Sequence, residues 1–462
     1  MDKLYERIEF KNGKTPALNE DNLNYISRVL DEIDDRLIKI AAETLLLQIK
    51  DIDDRLEEAR TLLISASEKF LSKTNPVGTG KLSVNRKSGT TEGEYSGAVG
   101  KNTVASGEAA FAEGVNTQAN GNYTHSEGNN TVARGNGSHV EGGATQTNAN
   151  YAHAEGNGSQ ANGEMSHAEG RLTSSRGRGS HAEGDSTVAG DSNATLANNL
   201  TELAAYEQQV PGAATHAEGI GSLAKRAASH AEGYKTQAGG NASHAEGQNT
   251  TASATGAHSE GLDTMASGDY SHAEGNQAQS GGRGSHAEGE NTLAQGQYSH
   301  AEGGGCQALG DYSHAEGCND GSISTISTGK GSHAEGVGTW ARGEGSHTEG
   351  IATSASRNAA HAEGTHTTAS GVASHTEGMG TLASGAYQHV QGKYNVEDMN
   401  NRYAHIVGGG TSDSERKNIH TLDWNGNAEY AGDVIATKAD GSKISLLELA
   451  EAIEMLRKGA VS

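Results

Sequence analysis

Histidine and glutamate recur in this chain at a spacing that could do chemistry. The sequence His-(small)-Glu-Gly occurs seventeen times between residues 125 and 377, and its histidines lie 14 residues apart in three unbroken runs. An imidazole and a carboxylate two residues apart can form an ion pair, exchange a proton or bind a metal ion. A catalytic site, however, is a single constellation of unlike neighbours, whereas these pairs are copies in an array. We therefore predict no catalytic residue, no resident metal and no cofactor.

These histidines and glutamates are more uniform than their surroundings. Another outward position of the repeat varies freely, being Asn276, Glu290, Gly304 and Val337 in four copies. Identical pairs in every copy indicate one restricted environment, where a charged group is tolerated only when it is paired. We predict that three chains meet on a three-fold axis lined by this array. Representative members are His125, Glu127, His153, Glu155, His181, Glu183, His230, Glu232, His272, Glu274, His300, Glu302, His347, Glu349, His375 and Glu377.

Two other interpretations of the array remain open. The pairs could form an acidic ladder in solvent, or a ladder of metal sites, because His and Glu are both competent ligands. No cysteine and no pattern of supporting residues accompanies the pairs, which argues against the metal interpretation. If each histidine is paired with a glutamate, folding should raise the imidazole pKa above its ordinary value of about 6.5.

The repeat predicts a mainly β fold. A 14-residue unit is too short to bury a face of its own and must stack on its neighbours. In one unit, Ser285 and Ala287 share a face with other small side chains, and His286 and Glu288 share the opposite face. Two short strands per turn, filled only by small residues, predict a narrow parallel β-roll. About twenty turns are expected, each advancing about 4.8 Å.

Residues 1–75 predict an attachment segment followed by a coiled coil. Glycine is nearly absent there, and apolar residues recur at alternating spacings of four and three in two heptad seams. The seams are out of frame with each other, so either one helix has a discontinuity near Thr44 or the segment is a helical hairpin. An amphipathic helix packed on its own domain is a further alternative. The predicted seam includes Ile26, Ile33, Leu37, Ile40, Ile52, Leu56 and Leu63.

Changes in the repeat set the other boundaries. Residues 76–94 are predicted to be a linker, and residues 95–392 the roll. The histidine spacing widens twice within the roll, so extra residues near 190–212 and 319–328 must leave it.

The C-terminal part of the chain departs from the repeat. Residues 393–440 are predicted to form a β tip, and residues 441–462 a short amphipathic helix. The tip should contain a hairpin with strands at 419–424 and 428–435, because the dipeptide Asn425-Gly426 between them favours a tight turn.

Composition limits the partners of this chain. Its formal net charge of −24 argues against nucleic acid or an anionic membrane, since both attract Lys and Arg. Two cysteines, Cys306 and Cys318, do not make a disulfide framework in 462 residues. The opening residues contain no apolar run behind a basic stretch, and no long apolar run occurs elsewhere. We therefore expect neither a secretion signal nor membrane insertion.

The pattern Ser-His-Ala-Glu-Gly-x-x-Thr-x-Ala-x-Gly, present with small variations at residues 271–281 and 299–310, resembles the head repeat of trimeric autotransporter adhesins of the YadA type. Heads of that family are left-handed parallel β-rolls assembled as trimers. The resemblance covers about residues 94–410 and implies a trimeric left-handed parallel β-roll for this chain. In that family apolar residues occupy the His and Glu sites, as Val99 and Val407 occupy the Glu site here.

The two ends resemble appendage proteins of phages. Phe10 to Asn19 with Asn22 to Asn24 are similar to the opening of tail-fibre and baseplate proteins of phages that infect Gram-positive bacteria. The C-terminal region is similar to that of phage appendage proteins with a self-cleaving chaperone module. The segments that carry this second resemblance are Tyr403 to Gly410, Thr411 to Arg416, His420 to Ala428 and Ala431 to Val434.

These resemblances imply a homotrimeric tail fibre of a phage or a phage-tail-like particle, assembled in the host cytoplasm as a virion component. Its N-terminus would attach to a baseplate or tail protein, and its distal end would meet a glycan or protein of the host cell surface. A surface adhesin of the autotransporter type is the alternative. A fibre that degrades polysaccharide is less favoured, because glycoside hydrolysis needs two carboxylates set around a groove.

Overall fold

The computed structural model describes residues 20–72, 82–84, 87–190, 213–318 and 324–459. The chain divides into two units, the first ending at Leu82 and the second beginning at Ser83. The predicted attachment segment, the start of the predicted linker and most of the first insertion lie outside the described residues, as do the first residues of the second insertion.

The N-terminal unit contains one continuous helix, α1, at Glu20–Ser72. The frame shift near Thr44 does not break it, and the Thr44 hydroxyl donates to the Ile40 carbonyl at 2.7 Å, as a threonine does inside a helix. Two acidic residues, Glu20 and Asp21, occupy the first turn, where their negative charges interact favourably with the positive end of the helix dipole. The helical-hairpin alternative is therefore wrong.

The predicted seam of α1 faces solvent in the single chain. Its side chains are among the most exposed large apolar groups of the molecule, with Leu37 58% and Leu63 73% exposed. Ile33 alone of the predicted seam residues is partly buried. Within the N-terminal unit, the described residues leave this seam uncovered.

The second unit is built on a parallel β-solenoid of about twenty turns, as predicted. A turn contributes a first strand, which in seventeen turns begins at the histidine of His-x-Glu, and a second strand of two residues. The first strands are Gly97–Lys101, Phe111–Val115, His125–Asn129, His139–Val140, His153–Ala154, His167–Arg171, His181–Asp185, His216–Ile220, His230–Tyr234, His244–Gln248, His258–Leu262, His272–Asn276, His286–Glu290, His300–Gly304, His314–Cys318, His333–Val337, His347–Ile351, His361–Thr365, His375–Thr376 and His389–Lys393.

The second strands form a separate parallel sheet. They are Val104–Ala105, Gln118–Ala119, Val132–Ala133, Gln146–Thr147, Gln160–Ala161, Ser174–Ser175, Val188–Ala189, Leu223–Ala224, Gln237–Ala238, Thr251–Ala252, Met265–Ala266, Gln279–Ser280, Leu293–Ala294, Gln307–Ala308, Ile326–Ser327, Trp340–Ala341, Ser354–Ala355, Thr368–Ala369 and Leu382–Ala383. One further short strand, Leu82–Val84, precedes the solenoid.

The register of the first sheet places each repeat directly over the next. His272 pairs with His286, and the glutamates two residues later pair in the same way. The register continues across both insertions, because His181 pairs with His216 and His314 with His333. The turns that flank each insertion therefore stack on each other without shifting any side chain to the other face.

The interior of the solenoid is filled by small side chains. Ser285, Ala287, Thr292 and Ala294 of one turn are all at most 1% exposed. In several turns the serine before the histidine also closes a turn, as Ser285 does by donating its hydroxyl to the Gly282 carbonyl at 2.7 Å. That bond satisfies a buried hydroxyl, so the polar residue costs little inside. The predicted small face is confirmed.

The glycine of His-x-Glu-Gly is required by the backbone. Gly303 has φ of +101°, a conformation that residues with a side chain rarely adopt. A Cβ at this position would overlap the carbonyl oxygen of Gly317 in the next turn. The invariance of this glycine therefore reflects the stacking of turns.

The solenoid ends where the chain reverses. Strand Tyr403–Gly409 pairs in parallel with His389–Lys393 and antiparallel with Asn418–Asp423. Asn418–Asp423 then forms a hairpin with Ala428–Tyr430, as the Asn425-Gly426 turn predicted. An antiparallel strand on the last turn ends the parallel stack.

The predicted second strand of that hairpin is too long. It ends at Tyr430, and Ile435–Thr437 instead pairs with Lys443–Ser445 in a separate hairpin. The terminal helix, α2, consequently begins at Leu446 and extends to Gly459. No residue of α2 is buried, so its apolar side chains also face solvent in the single chain. Within the described ranges, no helix is long and apolar enough to cross a membrane.

Candidate functional site: the histidine ladder

The strand register stacks the repeated histidines into one column, which we call the histidine ladder. Its ring centroids are 4.5–4.9 Å apart and successive rings are 1–14° from parallel. The ladder consists of His125, His139, His153, His167, His181, His216, His230, His244, His258, His272, His286, His300, His314, His333, His347, His361, His375 and His389.

A column of glutamates runs beside the ladder. In most turns the Nε2 atom of the histidine lies 3.4–4.0 Å from an Oε atom of the glutamate two residues later. His333 is paired instead with Glu316 of the preceding turn, at 3.5 Å. The predicted pairs His347 with Glu349 and His375 with Glu377 do not approach within that distance. The structure thus brings together most of the predicted pairs.

The ladder lies on the outside of the roll and is half-buried there. His272 and Glu274 each retain 34% of their side-chain exposure, whereas Ala273 between them is fully buried. The prediction that His and Glu share the face opposite the small residues is confirmed. Their position on a three-fold axis concerns other copies of the chain and stays a prediction.

Nine imidazoles of the ladder have lowered pKa values. Burial is the larger cause, and the charge that a neighbouring imidazole would carry adds to it, as at His272 between His258 and His286. The glutamates oppose this shift without overcoming it. For these nine residues the prediction that pairing raises the pKa is wrong, because each added proton would repel the protons on the rings stacked beside it. The pKa is lowered at His139, His153, His230, His244, His272, His314, His347, His361 and His389.

Some glutamates of the column have raised pKa values. Burial raises the pKa of Glu155 to about 7, helped by the neighbouring carboxylates of Glu141 and Glu169. The pKa of Glu127 is also raised, chiefly by a hydrogen bond with Glu113, and that of Glu363 chiefly by burial. Stacked carboxylates repel one another as stacked imidazolium ions do.

Acidification should destabilise the solenoid. A histidine whose folded pKa is lowered contributes stability above its unfolded value of about 6.5, and this contribution is lost as pH falls through the folded value. The glutamates with raised pKa act in the opposite direction, but fewer groups are involved. We expect the melting temperature to fall by several degrees between pH 7.5 and pH 5.5, measured by circular dichroism.

A histidine-to-phenylalanine set provides the control for this pH dependence. Phe111 naturally occupies the histidine position, and its ring centroid lies 5.5 Å from that of His125. Phenylalanine is therefore compatible with the column. The variant carrying Phe at residues 230, 244, 272, 314 and 347 should show a flatter pH profile. A wild-type melting temperature that rises towards pH 5.5 would show that the ion pairs dominate after all.

Sequence reasoning missed the end of the ladder. The ring centroids of His389 and His375 are 4.9 Å apart, but His389 falls outside the His-x-Glu pattern because Gln391 replaces the glutamate. The amide of Gln391 contacts the Nε2 atom of His405 at 3.2 Å, and His405 is tilted away from the column. The continuing 14-residue spacing from His375 was the signal that could have identified His389.

The ladder offers groups of possible metal ligands. His153, Glu155 and His167 present three ligand atoms that lie within 4.8 Å of one another, and the same arrangement recurs along the column. Cys306 is buried and forms no disulfide, and burial raises the pKa of its thiol to about 12. Cys318 is exposed and also unpaired.

Comparison with known proteins adds no family. No family model matches the chain, and no curated protein matches it.

Proposed function

We propose that this chain is the subunit of a homotrimeric tail fibre of a phage or a phage-tail-like particle. The observation that carries the proposal is a 53-residue helix with an uncovered apolar seam, in the same chain as a long β-solenoid. Both elements are quasi-one-dimensional, and neither encloses a conventional core.

The exposed seam of α1 indicates that the helix packs against partner helices. Leu37, Leu56 and Leu63 are each more than half exposed, and a soluble chain does not leave such a continuous stripe in water. Heptad spacing lets copies of one helix bury the stripe by packing side chains into one another. The simplest partners are one or more further copies of the same chain.

The histidine ladder supports side-by-side assembly of the solenoids. The Nε2 atoms of its histidines are shielded from solvent and make no hydrogen bond within the described residues. Copies packed around an axis would complete the burial of the half-exposed histidines and glutamates. The head-repeat resemblance suggests three copies.

In the proposed particle, the N-terminus is held by a baseplate or tail protein, and the solenoid is the shaft. The β tip and α2 lie towards the host, where a cell-surface glycan or protein is recognised. The short resemblances at residues 10–24 and 403–434 support this polarity.

Immunogold labelling tests this function. Antibodies raised against the purified chain should decorate the tails of particles released by the source bacterium. Labelling of the cell envelope in the absence of particles would favour the surface-adhesin alternative, which the resemblance of the repeat also supports. Absence of label from purified particles would contradict the proposal.

A further inference from the structure

We infer that the histidine ladder binds divalent transition-metal ions, with Zn²⁺ as the best match, in sites that each use one glutamate and the histidines of two successive turns. All three ligands come from one chain. The inference therefore goes beyond the proposed fibre function and does not depend on it.

The first argument is the distance between imidazole and carboxylate. The Nε2 and Oε atoms are 3.4 Å apart in the pair His244 and Glu246, and 3.5 Å apart in His258 and Glu260. These separations are long for a hydrogen bond. Two ligands of a tetrahedral zinc ion, bonded at about 2.0–2.1 Å, lie roughly 3.4 Å apart. An ion placed between such a pair would need little movement of either side chain.

The second argument is the state of the nitrogen. Each ladder Nε2 is shielded and has no hydrogen-bond partner in the described residues. In all but His347 and His375 it also lies within 4.0 Å of a glutamate oxygen. A metal bond would satisfy a buried polar atom that otherwise carries a desolvation penalty.

The third argument is the additional ligand supplied by the stack. In groups such as His258, Glu260 and His272, the histidine of the next turn lies within 4.8 Å of the other two ligand atoms. Rotation of that side chain towards the ion gives three protein ligands, and water completes the tetrahedron. Mixed nitrogen and oxygen ligands favour Zn²⁺ and similar ions over Ca²⁺ or Mg²⁺, which prefer oxygen.

Sharing of histidines limits the stoichiometry. Each histidine can bind only one ion, so a site that uses the histidines of two successive turns excludes a second site on either of them. The eighteen histidines of the ladder therefore provide for at most about nine ions per chain. The acidic surface of the chain, with its formal charge of −24, offsets the charge that these ions add.

The full-length chain, stripped with chelator and titrated with Zn²⁺ by calorimetry, tests the inference. We expect several ions per chain at micromolar affinity, confirmed by elemental analysis after desalting. Co²⁺ should give the intense visible absorption of a tetrahedral site, and lowering the pH to 5 should release it. Failure of the wild-type chain to take up either ion would overturn the inference.

Matched variants locate the ions. Glutamine naturally replaces glutamate at Gln391, so Glu-to-Gln changes are compatible with the solenoid. The ladder set replaces Glu246, Glu260, Glu274, Glu288 and Glu302. The control set makes the same change at exposed glutamates away from the ladder, namely Glu94, Glu108, Glu290, Glu344 and Glu429.

The ladder set should lose about a third of the bound ions, and the control set should lose none. Circular dichroism of each variant establishes that the solenoid is intact. The inference fails if the ladder set binds as many ions as the wild type, or if the control set loses as many as the ladder set. Since calorimetry counts ions per chain, the result is independent of whether the protein belongs to a phage particle.

Discussion

Replacing Gly303 by alanine is expected to lower the stability of the solenoid by more than about 3 kcal/mol. The residue has φ of +101°, and its new Cβ would overlap the Gly317 carbonyl oxygen. Relief requires two turns of the sheet to separate, which breaks strand hydrogen bonds on both sides. Because each turn contacts only its neighbours, the damage should begin as local opening around these turns. Thermal unfolding and hydrogen exchange measure both effects.

The adjacent glycine provides a matched control. Gly304 lies in the same strand, and a Cβ there would meet nothing closer than the Cβ of Cys318 at 4.0 Å. We expect Gly304→Ala to change stability by less than about 1 kcal/mol. Equal melting temperatures for the two variants would contradict the proposed role of the glycine in the stack.

The double substitution Leu37→Asp and Leu56→Asp should abolish association through α1. Both side chains belong to the exposed seam, and every copy of the chain would bring two unpaired carboxylates into the helix interface. Each buried charge without a partner costs several kcal/mol, which exceeds what the remaining seam residues can offset. Sedimentation velocity of the isolated double variant should show a reduced mass relative to the wild type.

Two lysines on the same helix serve as controls. Lys39→Asp with Lys50→Asp changes the net charge more than the seam variant does, but leaves the apolar stripe intact. This variant should keep the wild-type mass. If the seam variant also keeps the wild-type mass, α1 does not hold the assembly together.

The repeat made the solenoid predictable from sequence. A histidine every 14 residues fixes the register, and the buried Ser285 and Ala287 were identified by alternation alone. The same register implied that the turns flanking each insertion stack on each other, as the pairings of His181 with His216 and of His314 with His333 show. A period repeated so often leaves one arrangement in which all copies share the same environment.

The electrostatics of the ladder could not be predicted in the same way. The sequence places a glutamate two residues from each histidine, which suggests an ion pair. The sequence does not show that the ring centroid of His272 also lies 4.6 Å from that of His258 and 4.8 Å from that of His286. Contacts with the turns on either side decide the direction of the pKa shift, and they depend on the stacking distance.

The C-terminal hairpin was predicted only in part for a similar reason. The Asn425-Gly426 turn is a local signal and was identified. The end of its second strand depends on a contact distant in sequence, because the Asp433 carboxylate accepts a hydrogen bond from the Leu447 amide at the start of α2, at 3.0 Å. Asp433 therefore caps a helix and does not continue the strand.

Electron cryo-microscopy of the purified full-length chain tests the central claim most directly. We predict three parallel solenoids around one axis, with the columns of His272 and Glu274 facing inward and three α1 helices in a coiled coil. A map with a single solenoid, or with those side chains facing bulk solvent, would contradict the assembly and the fibre function inferred from it.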